Sequence, residues 1–121
     1  MESSIPLLHR VRLLAVYSRL VLVYNVAIAA LGTSTLLALR AAGIVGEAEA
    51  SPAATLRFAV VMAGMIVATA GHWGGVLVAH SVHRSEYALY RAGGWGRVEL
   101  WLASWAVSFV VGAAILVAGA I

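Results

Sequence analysis

Cysteine, lysine and aspartate are missing from this chain altogether. Without cysteine there is no disulfide, no thiolate metal site, no iron–sulfur ligation and no covalent c-type haem. Without lysine, all eight basic residues are arginines. Charge of either sign is scarce, at 11% of residues against about 25% in a soluble domain. Hydrophobic residues make up 63% and mean hydropathy is +0.97. Three apolar runs nearly fill the 121 residues, which leaves no room for a separate soluble catalytic domain. The runs hold no nucleophile–base arrangement, phosphate-binding glycine loop or paired acids, so an enzyme is not expected. The pI near 10 does not signal nucleic acid, because the arginines flank apolar runs, where cytoplasmic basic residues collect.

Residues 20–39, 58–79 and 100–121 carry no Asp, Glu, Lys or Arg. Each run is long enough for a bilayer core about 30 Å thick, which takes roughly 20 residues of helix. The pattern predicts an all-α integral membrane protein, one domain over 1–121. Its three transmembrane helices are expected at about residues 13–39, 54–90 and 100–121. Ala27-Ile28-Ala29 resembles a signal-peptidase site, but the apolar run continues to Leu39, so the first helix is expected to stay uncleaved. Gly43 and Gly46 break the chain after it, and Glu47 and Glu49 keep that loop wet. Ser51-Pro52 then supplies an N-cap and a first-turn proline. The second helix is too long for one bilayer crossing, so His80 to Arg91 should stand in the interface or beyond it. Gly93, Gly94 and Gly96 end it.

Arg10, Arg12, Arg19, Arg84, Arg91 and Arg97 fall at one end of such a bundle, and Arg40 and Arg57 at the other. That asymmetry puts the N-terminus on the cytoplasmic side of the membrane. Trp95, Trp101 and Trp105 gather where the third helix begins, as boundary anchors do. Ser104, Ser108 and Gly112 recur every fourth residue and offer a close-packing seam. Asn25 is a polar group inside the first run and needs a partner, whereas Thr33, Ser34 and Thr35 can bond back to their own helix.

The chain is organised around Gly71-His72-Trp73-Gly74-Gly75-Val76-Leu77-Val78-Ala79-His80. His72 falls inside the second run, where an ionisable side chain faces a partner, a cavity or a cofactor rather than lipid. On a straight helix its face includes Met65, Ala68, Thr69, Val76, Ala79 and His83. Gly64, Ala68, Gly71 and Gly75 form a small-residue strip along one edge. Such a strip packs helices, or admits a flat macrocycle beside the histidine. The first and third helices contain no histidine, and His80 lies about 12 Å along the axis from His72. Two axial imidazoles on one iron would therefore require a second subunit. His80, His83 and Glu86 form a second cluster, suited either to zinc or iron or to plain interfacial solvation, with Arg84 pairing Glu86 or a lipid phosphate.

The segment Gly71-His72-Trp73-Gly74-Gly75-Val76-Leu77-Val78 resembles the G-H-x-G-G-x-L-x motif of a group of small bacterial membrane domains, some found beside c-type cytochrome domains. The resemblance covers about one helix of three and implies a respiratory or electron-transfer setting in a bacterial inner membrane.

Three functions follow as expectations. The first is a small accessory or anchor subunit of a respiratory or photosynthetic electron-transfer complex. In it His72 would be axial ligand to haem b or a chlorophyll-type pigment, with Ala68, Gly71, Gly75 and His80 around the ring. The second is a purely structural packing subunit, in which His72 hydrogen-bonds a group such as Asn25. The third is a metal or proton-handling site made of His72, His80 and His83. The partners expected are the lipid bilayer and other membrane subunits or further copies of the chain.

Overall fold

The computed structural model describes residues 6–44 and 51–120, all helix, turn or short connection, with no strand among them. The loop expected at Gly46, Glu47 and Glu49, and the last residue of the third helix, lie outside the described residues. The elements are α1 (Leu7–Ala41), α2 (Pro52–Ala68), α3 (Ala70–Val82), a 3₁₀ turn (Arg84–Glu86), α4 (Tyr87–Ala92) and α5 (Arg97–Ala120). Two helices, α1 and α5, are long and apolar enough to cross a membrane, and α2 with α3 makes a third if the bent pair counts as one span.

Helix α1 begins six residues before the expected start. Pro6 sits at its N-cap with extended backbone, and its carbonyl accepts from the Arg10 N–H at 3.2 Å. Propagating a helix already begun costs little, so it runs through Arg10 and Arg12, which the expected start at residue 13 left outside. His9 therefore lies in α1, which corrects the expectation of a first helix without histidine. At about 52 Å, α1 exceeds the hydrocarbon thickness. Helix α2 starts as expected: Ser51 Oγ accepts from the Ala54 N–H at 3.2 Å, with Pro52 in the first turn. Helix α5 begins at Arg97 rather than at Leu100, because Glu99 reaches back to accept from the Gly96 N–H at 3.0 Å. That half of a capping box satisfies a donor the helix would otherwise leave open.

The second helix is not continuous. It bends by 49° between α2 and α3, where Thr69 adopts φ −128° and ψ −97°. The Thr69 hydroxyl bonds back to the Met65 carbonyl at 2.6 Å. The His72 N–H, which an unbroken helix would send to Ala68, goes to the Thr69 carbonyl at 3.1 Å. A second break follows at His83, and the 3₁₀ turn and α4 replace the last turns of the expected helix.

The three long segments pack antiparallel in sequence order. Tyr17 and Tyr24, seven apart on α1, meet Tyr87 at 2.9 Å and His83 at 3.0 Å through their hydroxyls. Tyr17, Tyr87 and Tyr90 form a ring cluster beside Leu13 and Leu100. The expected small-residue strips are buried, and their partners are helices of this chain. A Cβ built on Gly112 would stand 2.7 Å from the Gly64 carbonyl oxygen, and one on Gly64 3.0 Å from that of Gly112. A Cβ on Gly75 would stand 2.8 Å from the Val21 carbonyl. The helices touch backbone to backbone, as small residues allow where dispersion replaces the hydrophobic effect.

Trp95, Trp101 and Trp105 each place the indole N–H on a group of this chain: Trp95 on the Arg10 carbonyl at 2.9 Å, Trp101 on the Tyr87 hydroxyl at 3.2 Å, Trp105 on the Ala68 carbonyl at 2.8 Å. Trp95 also lies under the Arg10 guanidinium, 4.6 Å from the ring centre. The start of α1 is thereby tied to the α4–α5 link, so the six-arginine flanks share one end of the molecule.

Gly112→Ala should destabilise the bundle by about 1–3 kcal/mol, because its new methyl meets backbone and the Ala68 Cβ. Gly74→Ala should be near neutral, because only the mobile Ile28 Cδ1 stands in its way at 2.8 Å. Unfolding of the two variants in mixed micelles, followed by circular dichroism, separates them.

Candidate functional site

His72 and Asn25 are both fully buried, at 0% exposure, and meet where α1, α3 and α5 converge. Each position follows from local sequence. His72 lies in the first turn of α3 beside Gly71, whose lack of a side chain lets Asn25 approach: a Cβ there would overlap Asn25 Oδ1. Ser108 belongs to the four-residue seam of α5 and reaches His72 across it.

The hydrogen bonds have one consistent direction. His72 Nε2 lies 3.2 Å from the Trp101 carbonyl oxygen. A carbonyl only accepts, so Nε2 carries the proton, and Nδ1 of the neutral ring is the acceptor. The Ser108 hydroxyl donates to Nδ1 at 3.0 Å and accepts from Asn25 Nδ2 at 3.3 Å. The second Asn25 N–H donates to the Val67 carbonyl at 2.9 Å. One chain of donors thus runs Asn25, Ser108, His72, Trp101. The Trp101 carbonyl also accepts from the Ser104 hydroxyl at 3.0 Å.

This network closes over the helix break. The Val67 carbonyl accepts from Asn25, and the Ala68 carbonyl, left by its helical donor, accepts from Trp105. Buried backbone acceptors must be paired, most of all away from water. The partner foreseen for His72 was Asn25; the observed link runs through Ser108, because Asn25 is occupied at the break. Met65 and Thr69 are exposed and do not share the His72 face, since the bend resets the helical register assumed for a straight rod.

The residues around His72 do not fit a haem or chlorophyll-type macrocycle. An axial ligand needs a free lone pair and a flat slot beside the ring. Here the only lone pair faces Ser108, and Gly71 and Gly75 are closed off by Asn25 and Val21 of α1. Ala68 packs against Gly112.

The second cluster separates into two parts. His83 Nδ1 pairs with Glu86 Oε2 at 2.5 Å and its Nε2 with the Tyr24 hydroxyl, so Glu86 answers His83 and not Arg84. His80 meets Tyr87 at a tilt and Trp101 edge to face, at 5.6 and 6.2 Å between ring centres, with its Nδ1 buried and unpartnered. Among the described residues, no three His, Cys, Asp or Glu side chains assemble as a metal ion would require. The sequence reading singled out neither Trp105 as the cap of the break nor Ser108 as the partner of His72. The seam spacing was the signal for the serine; for the indole there was none.

The fold and the site define an all-helical bundle with two or three candidate membrane spans around a buried polar chain. No protein-family model, curated protein or solved structure matches the chain.

Ser108→Ala removes the donor to Nδ1 and an acceptor from Asn25, and should cost about 1–3 kcal/mol. In the unchanged protein, nitrogen NMR should show the Nε2–H tautomer of His72. An Nδ1–H signal would mean that the direction of the chain is reversed.

Proposed function

We propose that this chain is a small structural subunit of a membrane assembly, with three spans and no cofactor of its own. The observation that carries the reading is the pairing of both His72 nitrogens within the chain, at 3.0 and 3.2 Å. The side chain that most invited cofactor chemistry instead stabilises the contact between α3 and α5. A proton relay through His72 is disfavoured for a related reason: its donor chain ends on a carbonyl, which accepts a hydrogen bond but does not pass a proton on. The electron-transfer reading would require the ring to leave Ser108 and Trp101 and the glycine strip to part from α1.

The arginine asymmetry supports an orientation with the N-terminus and the α4–α5 link in the cytoplasm. The contacts of Arg10 with Gly94 and Trp95 support that link lying beside the start of α1.

Mild extraction should yield the chain in a species larger than itself, colourless in the Soret and far-red regions. A Soret band that disappears in His72→Ala would overturn the reading in favour of axial ligation, and migration as a lone chain would remove the subunit role. Because the sequence contains no cysteine, orientation can be read from single substitutions. Ser85→Cys should label only from the cytoplasmic side and Ala53→Cys only from the opposite side.

A further inference from the structure

Between α1 and α5 a groove of about 780 Å³ opens on the outer face of the bundle, lined by Leu14, Leu22, Val26 and Val107 with Ser18 and Arg19. A second groove of about 270 Å³, lined by Val16, Leu20, Val23 and Tyr90, has Arg19 in its wall as well. Arg19 therefore borders both grooves. We propose that this surface holds one anionic phospholipid, its phosphate on Arg19 and one acyl chain in the larger groove.

Three observations support that occupant. Arg19 is exposed, and among the described residues no hydrogen bond, ion pair or ring contact engages it, whereas Arg10, Arg40 and Arg97 lie over Trp95, Phe58 and Tyr87. A cation at the edge of the uncharged run 20–39 stands at headgroup depth and attracts phosphate. Arg12, seven residues earlier, shares its helical face about 10 Å farther out and adds to the same field. Ser18, 4% exposed, keeps the wall of the larger groove low between Leu14 and Leu22, so an acyl chain can lie close to α1 there.

The length also fits. The larger groove follows α1 from Val11 to Val26, about 22 Å, while one leaflet of hydrocarbon is about 15 Å deep. It therefore crosses the level where headgroup gives way to chain. Glu86 also faces the smaller groove, but its carboxylate is held by His83.

The proposal depends on the chain lying in a bilayer, and the test reads that separately. Purified protein is exchanged into mixed micelles of phosphatidylcholine with phosphatidylglycerol as the anionic probe, and bound lipid is counted by native mass spectrometry. Helicity retained in pure phosphatidylcholine reports the membrane fold, whatever the lipid preference. Phosphatidylglycerol should be retained about fivefold over phosphatidylcholine for each engaged arginine. Arg19→Gln should lose that preference, and Val26→Trp, which fills the larger groove, should lose bound lipid of both kinds. Equal retention of the two lipids by the unchanged protein would overturn the proposal, as would a preference untouched by Arg19→Gln. A Val26→Cys variant that cross-links to a second copy would overturn it too, since a helix would then occupy the groove.

Discussion

Two backbone carbonyls at the α2–α3 break, those of Val67 and Ala68, have to be satisfied where no water reaches. The rest of the structure depends on that constraint. Polar backbone buried without a partner costs a few kcal/mol per group, so a bend of 49° persists only if neighbours supply donors. Asn25 comes from α1 and Trp105 from α5, and both adjoining helices are thereby fixed against the broken one. Asn25 then has one further N–H to place. It places it on Ser108, which in turn pairs His72.

This order of dependence explains why the polar residues lie close together. A histidine alone in lipid would be a liability, and an asparagine alone would seek any partner. Joined through one serine hydroxyl that both donates and accepts, they leave Asn25 Oδ1 as the unpaired atom of the group. That oxygen is pressed against Gly71, and the small residue there is what lets the amide sit deep enough to reach Val67. The glycine strip thus admits a side chain of α1, a role that its composition alone does not distinguish from admitting a cofactor.

Much of the fold was legible in the sequence because uncharged length is a direct measure of bilayer thickness. The N-cap at Ser51 and the buried seam of Ser104, Ser108 and Gly112 were readable from spacing. The break was not. No proline lies near Thr69, and the distortion comes from a threonine back-bond together with donors more than 35 residues away in sequence. Every assignment of residues to the His72 face assumed a straight helix, so Met65 and Thr69 were placed on the wrong side for that one reason. At the site, burial of His72 was legible, while the identity of its partner depended on which acceptor Asn25 had already taken.

The register of α5 shows how few residues hold the bundle in one arrangement. Its inward face nearly repeats every fourth residue, with tryptophan at 101 and 105 and serine at 104 and 108. A slide by one helical turn would therefore offer His72 another serine and Ala68 another indole, and hydrogen bonding alone would barely oppose it. Gly112 breaks that near-equivalence. In the register that puts Ser104 and Trp101 in the places of Ser108 and Trp105, Ser108 would occupy its place, and it carries the Cβ that at this point stands 2.7 Å from the Gly64 carbonyl. Polar pairing thus selects which helices meet, and the close approach of two glycines selects where along their length they stop.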